Sequence, residues 1–254
     1  ILQTLHVGYR DMRFEVRVLD GDTSHVDLTI SQRAFVVDET MVESEHLRIV
    51  SPLEQPEIVF SGRKLRHNLG RTIAETIDYE PGIAQRSMGP ASSRPVLRGL
   101  GGDRLLMLED GERTGDLSAT SSDHAVAIEP MTTERIEVLR GPETMLYGSN
   151  ALGGVVNVVR NSVPRERPER LGGTFSWQGE NVNSGLSSGL MVQHAIGPFA
   201  LRIDGSVRAA GDVSTPRGRL HNTDIQTNST ALGTSVVRPW GYIGVAAGTY
   251  RSEY

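Results

Sequence analysis

Arg135-Ile-Glu-Val-Leu-Arg-Gly-Pro-Glu-Thr-Met-Leu-Tyr-Gly-Ser-Asn-Ala-Leu-Gly-Gly-Val-Val-Asn-Val-Val-Arg160 is the stretch whose reading decides the fold. Apolar residues at 136–139 predict a strand, Gly141-Pro142 a turn, and Met145, Leu146 and Tyr147 one short amphipathic turn of helix. A second apolar strand follows at 155–159. Gly153 and Gly154 lack a Cβ, so the backbone there can bend sharply or lie against a neighbouring wall. Pattern alone reads this as a buried β-turn-β unit of an α+β domain.

Composition narrows the class. Hydrophobic content of 37% and charge of 22% fit folded protein and argue against wholesale disorder. The chain has no cysteine, which excludes a disulfide framework and thiolate metal sites. A net charge of -5 argues against a nucleic-acid partner held by phosphate contacts. No apolar run approaches the roughly 18 residues of a transmembrane helix, while 28 glycines and short apolar runs suit a β-rich chain with tight turns.

Working back from the central stretch, residues 57–62 read as a short strand and 71–77 as a helix with Ile73 and Ile77 on one face. Thr72 or Gly70 would cap its start, and Pro81-Gly82 ends it. Pro95-Val-Leu-Arg-Gly-Leu-Gly-Gly-Asp-Arg-Leu105 leads into a buried strand at 105–108 and a turn at Asp110-Gly111. Its glycines lack the spacing and following helix of a dinucleotide fingerprint, and Gly141-Pro-Glu-Thr144 lacks the Gly-Lys-Ser/Thr of a phosphate loop. Residues 115–130 form a polar loop that ends in an apolar, strand-like run.

Arg-Ile-Glu-Val-Leu-Arg-Gly-Pro, then Leu-Tyr-Gly-Ser-Asn-Ala-Leu-Gly-Gly-Val-Val-Asn-Val, closely resembles the end of the plug domain of TonB-dependent outer-membrane receptors. The 72–83 segment is similar to the first plug helix and its Pro-Gly exit, and 95–105 to the plug's Ile-Arg-Gly segment. The Asp123-His124-Ala segment before the core resembles a zinc-uptake branch, where the pair sits on a plug loop facing the ligand. That resemblance implies metal contact by Asp123 and His124, whose carboxylate and imidazole suit Zn²⁺. Two adjacent residues cannot fill a tetrahedral site, so barrel residues or water would complete it, and the plain alternative is a turn-capping Asp123 beside a solvent-facing His124.

Residues 1–35 resemble the end of a carboxypeptidase-regulatory-like β domain, with a Gly8-Tyr9-Arg10 turn. Phe14, Val16 and Val18 alternate with charged residues; Asp20-Gly21-Asp22 then turns the chain into a strand through Val26, Leu28 and Ile30. In residues 36–56, the linker, Val37, Asp38, Glu39, Thr40, Met41 and Val42 resemble a TonB box. Such a box offers an extended strand to the sheet edge of the inner-membrane energy-coupling protein; the alternative is an ordinary linker strand. The plug would occupy 57–163.

The charged, proline-bearing stretch 161–170 reads as a domain boundary. Beyond it helix signal disappears. Leu201, Ile203, Gly205, Val207 and Ala209 alternate with Arg202, Asp204, Ser206 and Arg208, which suits lipid outside and a polar lumen inside, or a half-buried soluble sheet. Gly197-Pro198 and Pro239-Trp240-Gly241 join two hairpins tightly, with a polar loop at 211–228 between them. Short and long connections in alternation predict the first strands of an outer-membrane β-barrel over 164–254, and Trp177, Trp240, Tyr242 and Tyr250 are candidates for interface girdles. At about 20 residues per strand and connection, this length gives about five strands of a 22-stranded wall, so the rest would belong to a longer chain or to another one.

The expected fold is thus an α+β plug followed by antiparallel transmembrane barrel strands, an incomplete barrel, with a short β-sandwich remnant in front. The resemblance implies a transporter in the outer membrane of a Gram-negative-type cell, surrounded by lipid. It would take a metal ion or metal chelate, such as zinc, a siderophore or haem, with energy from the coupling protein. No nucleophile-base or paired-carboxylate arrangement stands out, so catalysis and a required cofactor are not expected. The alternative is a structural or interaction component that keeps the plug fold without transport. Arg86, Arg94, Arg98 and Arg104 are expected to pair with carboxylates inside the lumen.

Overall fold

The computed structural model describes residues 2–4, 12–14 and 56–254, except 116 and 122. The chain forms two compact units, residues 1–48 and 49–254. In the first, β1 (Leu2–Thr4) pairs antiparallel with β2 (Met12–Phe14), Leu2 opposite Phe14. The strands expected beyond Phe14, and the 37–42 segment, lie outside the described residues.

The second unit begins with β3 (Ile58–Ser61), α1 (Gly62–His67) and α2 (Ile73–Ile77). The helix α2 starts later than the expected 71–77 because Thr72 is extended (φ -129°) and caps it, its Oγ1 accepting the Glu75 N–H at 3.2 Å. Glu75 reaches back to accept the Arg71 N–H at 2.8 Å, which satisfies a second donor at the helix start. The hairpin β4 (Ile83–Ser87) and β5 (Ser93–Leu97) follows, then β6 (Leu105–Glu109) and β7 (Glu112–Arg113). The central stretch supplies β8 (Arg135–Leu139) and β9 (Gly154–Val159).

These strands form a five-stranded sheet in the order β3-β8-β9-β6-β7, parallel between β9 and β6 and antiparallel elsewhere. Ile73, Ile77, Leu97, Ile136, Val138, Val156 and Val158 pack on one face, while Leu106, Leu108, Leu139, Ala151 and Val155 pack on the other. Burial on both faces explains why β9 reads as a continuous apolar run interrupted only by Asn157. Gly154 (φ +140°) has room for no side chain, since a Cβ would stand 2.5 Å from Leu97 Cδ1 and 2.9 Å from the Leu139 carbonyl oxygen.

Two local expectations are corrected. The 142–147 segment is a 3₁₀ helix, and it buries Thr144 rather than an apolar stripe; Met145 and Leu146 are 79% and 77% exposed. Residues 125–128 form no strand: Val126 and Ile128 are buried in the core, yet no neighbouring strand offers them a ladder.

After residue 171 the chain is an antiparallel meander. It comprises β10 (Gly172–Glu180), β11 (Gly185–Ile196), β12 (Phe199–Ala210), the small hairpin β13 (Val213–Thr215) and β14 (Gly218–Leu220), β15 (Ile225–Arg238) and β16 (Gly241–Glu253). The sheet order is β10-β11-β12-β15-β16, with β13-β14 apart. The predicted loop is shorter than expected: the 211–224 connection contains the β13-β14 hairpin, and β15 already begins at Ile225.

Alternation along β12 is realised in space. Arg202, Asp204, Ser206 and Arg208 are buried, with Ser187 on β11 and Thr227, Ser229 and Ser235 on β15. Phe175, Trp177, Leu186, Leu190, Ile203, Val207, Leu232, Ile243 and Val245 stand exposed. A polar inner face and an apolar outer face on strands of 12 to 14 residues (β11, β12, β15 and β16) match a tilted membrane wall. Two aromatics depart from the expected girdle: Tyr250 is the register partner of buried Ser229, and Tyr242, an even number of residues before it on β16, shares that inner face with Arg165 over its ring. No helix among the described residues is long and apolar enough to cross a membrane.

Candidate functional site

The first sheet meets the wall through charge. Arg160, where β9 ends, donates from Nη1 to Glu109 Oε1 at 2.9 Å and from Nη2 to Asp204 Oδ1 on β12 at 2.5 Å. Asp204 Oδ2 lies 3.6 Å from Nε of Arg202, and Arg202 in turn bonds Glu134 and the Thr132 carbonyl. Further along β12, Arg208 lies 3.7 Å from Glu129 and bonds the Arg71 carbonyl. The segment before β8 thus runs alongside β12, each charge facing its opposite.

Burial sharpens these contacts. Arg160, Asp204, Arg202 and Glu129 are almost fully enclosed, so each charge must be matched where it sits. Burial pushes the Glu109 carboxyl above its ordinary value against the pull of Arg160. Burial also opposes ionisation of Arg160, but Asp204 and then Glu109 outweigh it and keep the guanidinium charged. Asp110 anchors the chain's exit from β9: its carboxylate accepts N–H bonds from Arg160, Asn161 and Ser162 at 2.7, 2.8 and 2.9 Å.

Close approach, the second ingredient, rests on glycines inside strands. A Cβ on Gly233 would collide with the Ser162 carbonyl oxygen, one on Gly244 would stand 2.6 Å from Val163 Cγ1, and one on Gly189 3.0 Å from Met131 Cβ. The sequence reading missed these seats and the Arg160 junction. A lone glycine within a strand pattern is the signal that would have marked the seats.

Asp123 and His124 are exposed on the 120–125 loop. The Tyr254 hydroxyl, just past β16, donates to the Asp123 carbonyl at 2.9 Å and accepts the Ala125 N–H at 3.2 Å. That end of β16 pairs with the start of β15, next to the 211–224 connection and away from the two tight turns. Ser121 donates a hydrogen bond to the Asp123 carboxylate, which holds it below the usual carboxylate range. Among the described residues no group of three or more His, Cys, Asp or Glu comes together around a common point, so the structure does not bring further ligands to this pair. Of the four arginines expected to pair, Arg98 approaches Glu57 at 3.7 Å, a carboxylate that Arg140 holds more closely at 2.8 Å.

Comparison with known proteins identifies the architecture. Residues 52–155 match the model of the TonB-dependent receptor plug domain. The iron-regulated outer membrane virulence protein of Vibrio cholerae is 30% identical over 137 residues, which is 51% of this chain and 21% of that protein. A vitamin B12 transporter of Photobacterium profundum is 28% identical over 178 residues, 69% of this chain and 28% of the transporter. The ferric enterobactin receptor of Pseudomonas aeruginosa superimposes with a TM-score of 0.60 at 16% identity, over 79% of this chain and 34% of the receptor. This chain therefore spans about a fifth to a third of these relatives. Residues 52–155 thus carry the similarity to a TonB-dependent receptor plug domain, and the five-stranded sheet that follows shares the fold of the receptor structure on which it superimposes.

Proposed function

We propose that this protein is a TonB-dependent transporter that binds a scarce metal ion or metal chelate outside the outer membrane and imports it without chemical change. The observation that carries the reading is the seat of the plug sheet on the inner face of the wall, through Arg160, Asp204 and Glu109. A plug fixed to a polar lumen by bonded charges is a gate, and outward apolar residues on the same strands suit a lipid surround. In this reading the plug is 57–163, the wall begins at 164, and the stretch 37–42 is the strand offered to the energy-coupling protein. Relatives named for iron regulation, vitamin B12 and ferric enterobactin support a chelated-metal cargo.

Zinc contact by Asp123 and His124 belongs to the same reading. Its support is their exposure on a loop tied to the strand end beside the long connection, with the Asp123 carboxyl held below the usual carboxylate range by its Ser121 bond. Other ligands would come from residues elsewhere in the receptor or from water.

Uptake tests the reading. Cells producing the full-length receptor should accumulate radiolabelled iron chelate or zinc, and deletion of 37–42 should abolish accumulation while leaving the receptor folded in the outer membrane. Accumulation that survives the deletion would remove the coupling segment; no accumulation of either metal by the intact receptor would remove transport of this cargo class.

A further inference from the structure

The outer face of the wall is not uniformly bulky. Register places Phe175, Leu190, Gly205, Thr230 and Thr249 in one row across β10, β11, β12, β15 and β16. Gly205 leaves a gap in that row, and Ala247 leaves another in the row below, next to Leu232. The result is an apolar groove of about 560 Å³, edged by Leu190, Ile203 and Leu232. Its volume lies in the range of small-molecule sites.

The groove ends in polar groups. Across the strand pair, the Thr230 and Thr249 hydroxyls bond each other at 3.1 Å. Such a pair has two hydroxyl hydrogens and uses one between its members, so one donor remains. In hydrocarbon an unanswered donor is costly. One row further on stand Trp177, Ser188, Val207, Asn228 and Arg251. Arg251 is 79% exposed, and its Nε donates to Glu253 at 2.8 Å. That bond steadies the guanidinium and leaves Nη1 without a partner among the described residues.

Depth gives these groups a setting. Thr249 stands eight residues beyond Gly241, at the tight-turn end of β16. At a rise of about 3.3 Å per residue and a tilt of about 40°, it lies about 20 Å above that end. The apolar band of such a wall is about 25 Å tall, with the longer connections outside. The threonine pair therefore sits just inside the outer border, and Arg251 sits at the border itself, level with Trp177.

We propose that this groove binds one anionic lipid of the outer leaflet, with a phosphate head and ester-linked acyl chains. One chain lies over Gly205 and Ala247, its ester carbonyl accepts the spare hydrogen of the threonine pair, and its phosphate meets Arg251 Nη1. Tail, ester and phosphate follow one another in the lipid as groove, hydroxyl pair and guanidinium do up the wall. Glu253 is already taken by Arg251, so the free donor favours an anionic head over a zwitterionic one. A second copy of the chain offers that guanidinium no phosphate. The inference takes from the transport reading only that this face meets the membrane.

Native mass spectrometry of the full-length receptor in detergent, titrated with diphosphoryl lipid A and separately with phosphatidylethanolamine, tests it. One tightly held lipid A per receptor is expected, held more firmly than phosphatidylethanolamine. Affinity should fall about tenfold in Thr230→Val/Thr249→Val and in Arg251→Gln, and at least as far in Ala247→Phe, which fills the groove. All four positions face outward, so the variants should fold, and mobility on unheated gels checks that they do. Equal retention of lipid A in the parent and all three variants would overturn the proposal, as would equal or firmer retention of phosphatidylethanolamine by the parent. Lipid-free pairs of receptors that Ala247→Phe disperses would overturn it too, and give the face to a second copy. A parent that inserts into phosphatidylcholine vesicles yet retains no lipid A would remove this site alone; one that fails to insert would remove the membrane wall along with it.

Discussion

Arg160 and Asp204 join the plug to its wall: a guanidinium at the end of β9 and a carboxylate in the middle of β12, 2.5 Å apart and both nearly sealed from solvent. The same guanidinium holds Glu109, and the same carboxylate faces Arg202, so the pair is the centre of a chain of alternating charge. Removing one member leaves others buried without a counter-charge, which is costlier than the pair was favourable. Asp204→Ala should therefore destabilise the full-length receptor by about 3–5 kcal/mol, read as an earlier plug transition in urea. A shift below about 1 kcal/mol would mean that water reaches the junction and screens it.

The glycine seats make a separate prediction about packing. Gly233→Ala forces a methyl group onto the Ser162 carbonyl oxygen, and neither backbone can retreat without breaking its own bonds. The expected cost is about 1–3 kcal/mol. Gly172→Ala is the control, because there a Cβ meets only the flexible Gln193 side chain at 3.7 Å. Equal thermal stability of the two variants would show that the plug does not sit as closely on β15 as described.

Much of this was legible in the sequence, and the reason differs by region. The β8 and β9 strands announce themselves because both faces of their sheet are buried, so apolar residues run without a break. The wall announces itself through strict alternation, since β12 has one exposed apolar face and one buried charged face. What stayed hidden depends on partners distant in the chain. Nothing local to Arg160 shows that Asp204, in the middle of β12, will meet it. Met145 and Leu146 misled for the converse reason: an apolar pair reads as core, yet these side chains stand exposed. Likewise Val126 and Ile128 are buried without belonging to any strand, because burial and ladder pairing are separate conditions.

The outer face of the wall predicts a depth-dependent penalty. Ile203 is exposed on β12, between inward Arg202 and Asp204. Ile203→Arg should cost about 2–4 kcal/mol in a bilayer and lower the folded fraction on unheated gels after insertion into vesicles. If Ile203→Arg and Ile203→Val insert equally well, this face does not meet lipid.

The start of α2 should respond to pH with a definite sign. Burial raises the Glu75 carboxyl, but the bonds from the Arg71 side chain and N–H outweigh it, and the folded group lies below its ordinary 4.5. A depressed folded value means that Glu75 contributes stability above 4.5, and that this contribution is lost as pH falls through the folded value. Glu75→Gln should accordingly cost about 1 kcal/mol near neutrality, and the difference from the parent should shrink as the pH drops below 4.5. A difference that stays constant down to the lowest pH would assign the effect to packing rather than charge.

The last relationship concerns the loop that bears Asp123 and His124. One phenol holds it at two points, as donor to the Asp123 carbonyl and acceptor from the Ala125 N–H. Tyr254→Phe removes both bonds and almost no volume, so the ring packing stays and the loop is released. The expected loss is about 1–2 kcal/mol of local stability, one increment per neutral hydrogen bond. Global unfolding would move little, because the affected groups are exposed and lie outside the core. Hydrogen exchange in the full-length receptor is the suitable readout: the Ala125 amide should exchange roughly tenfold faster in the variant, while Val156 and Val158 in β9 keep their protection. Unchanged exchange at Ala125 would show that the loop holds its shape without the strand end, and that the phenol only rests against it.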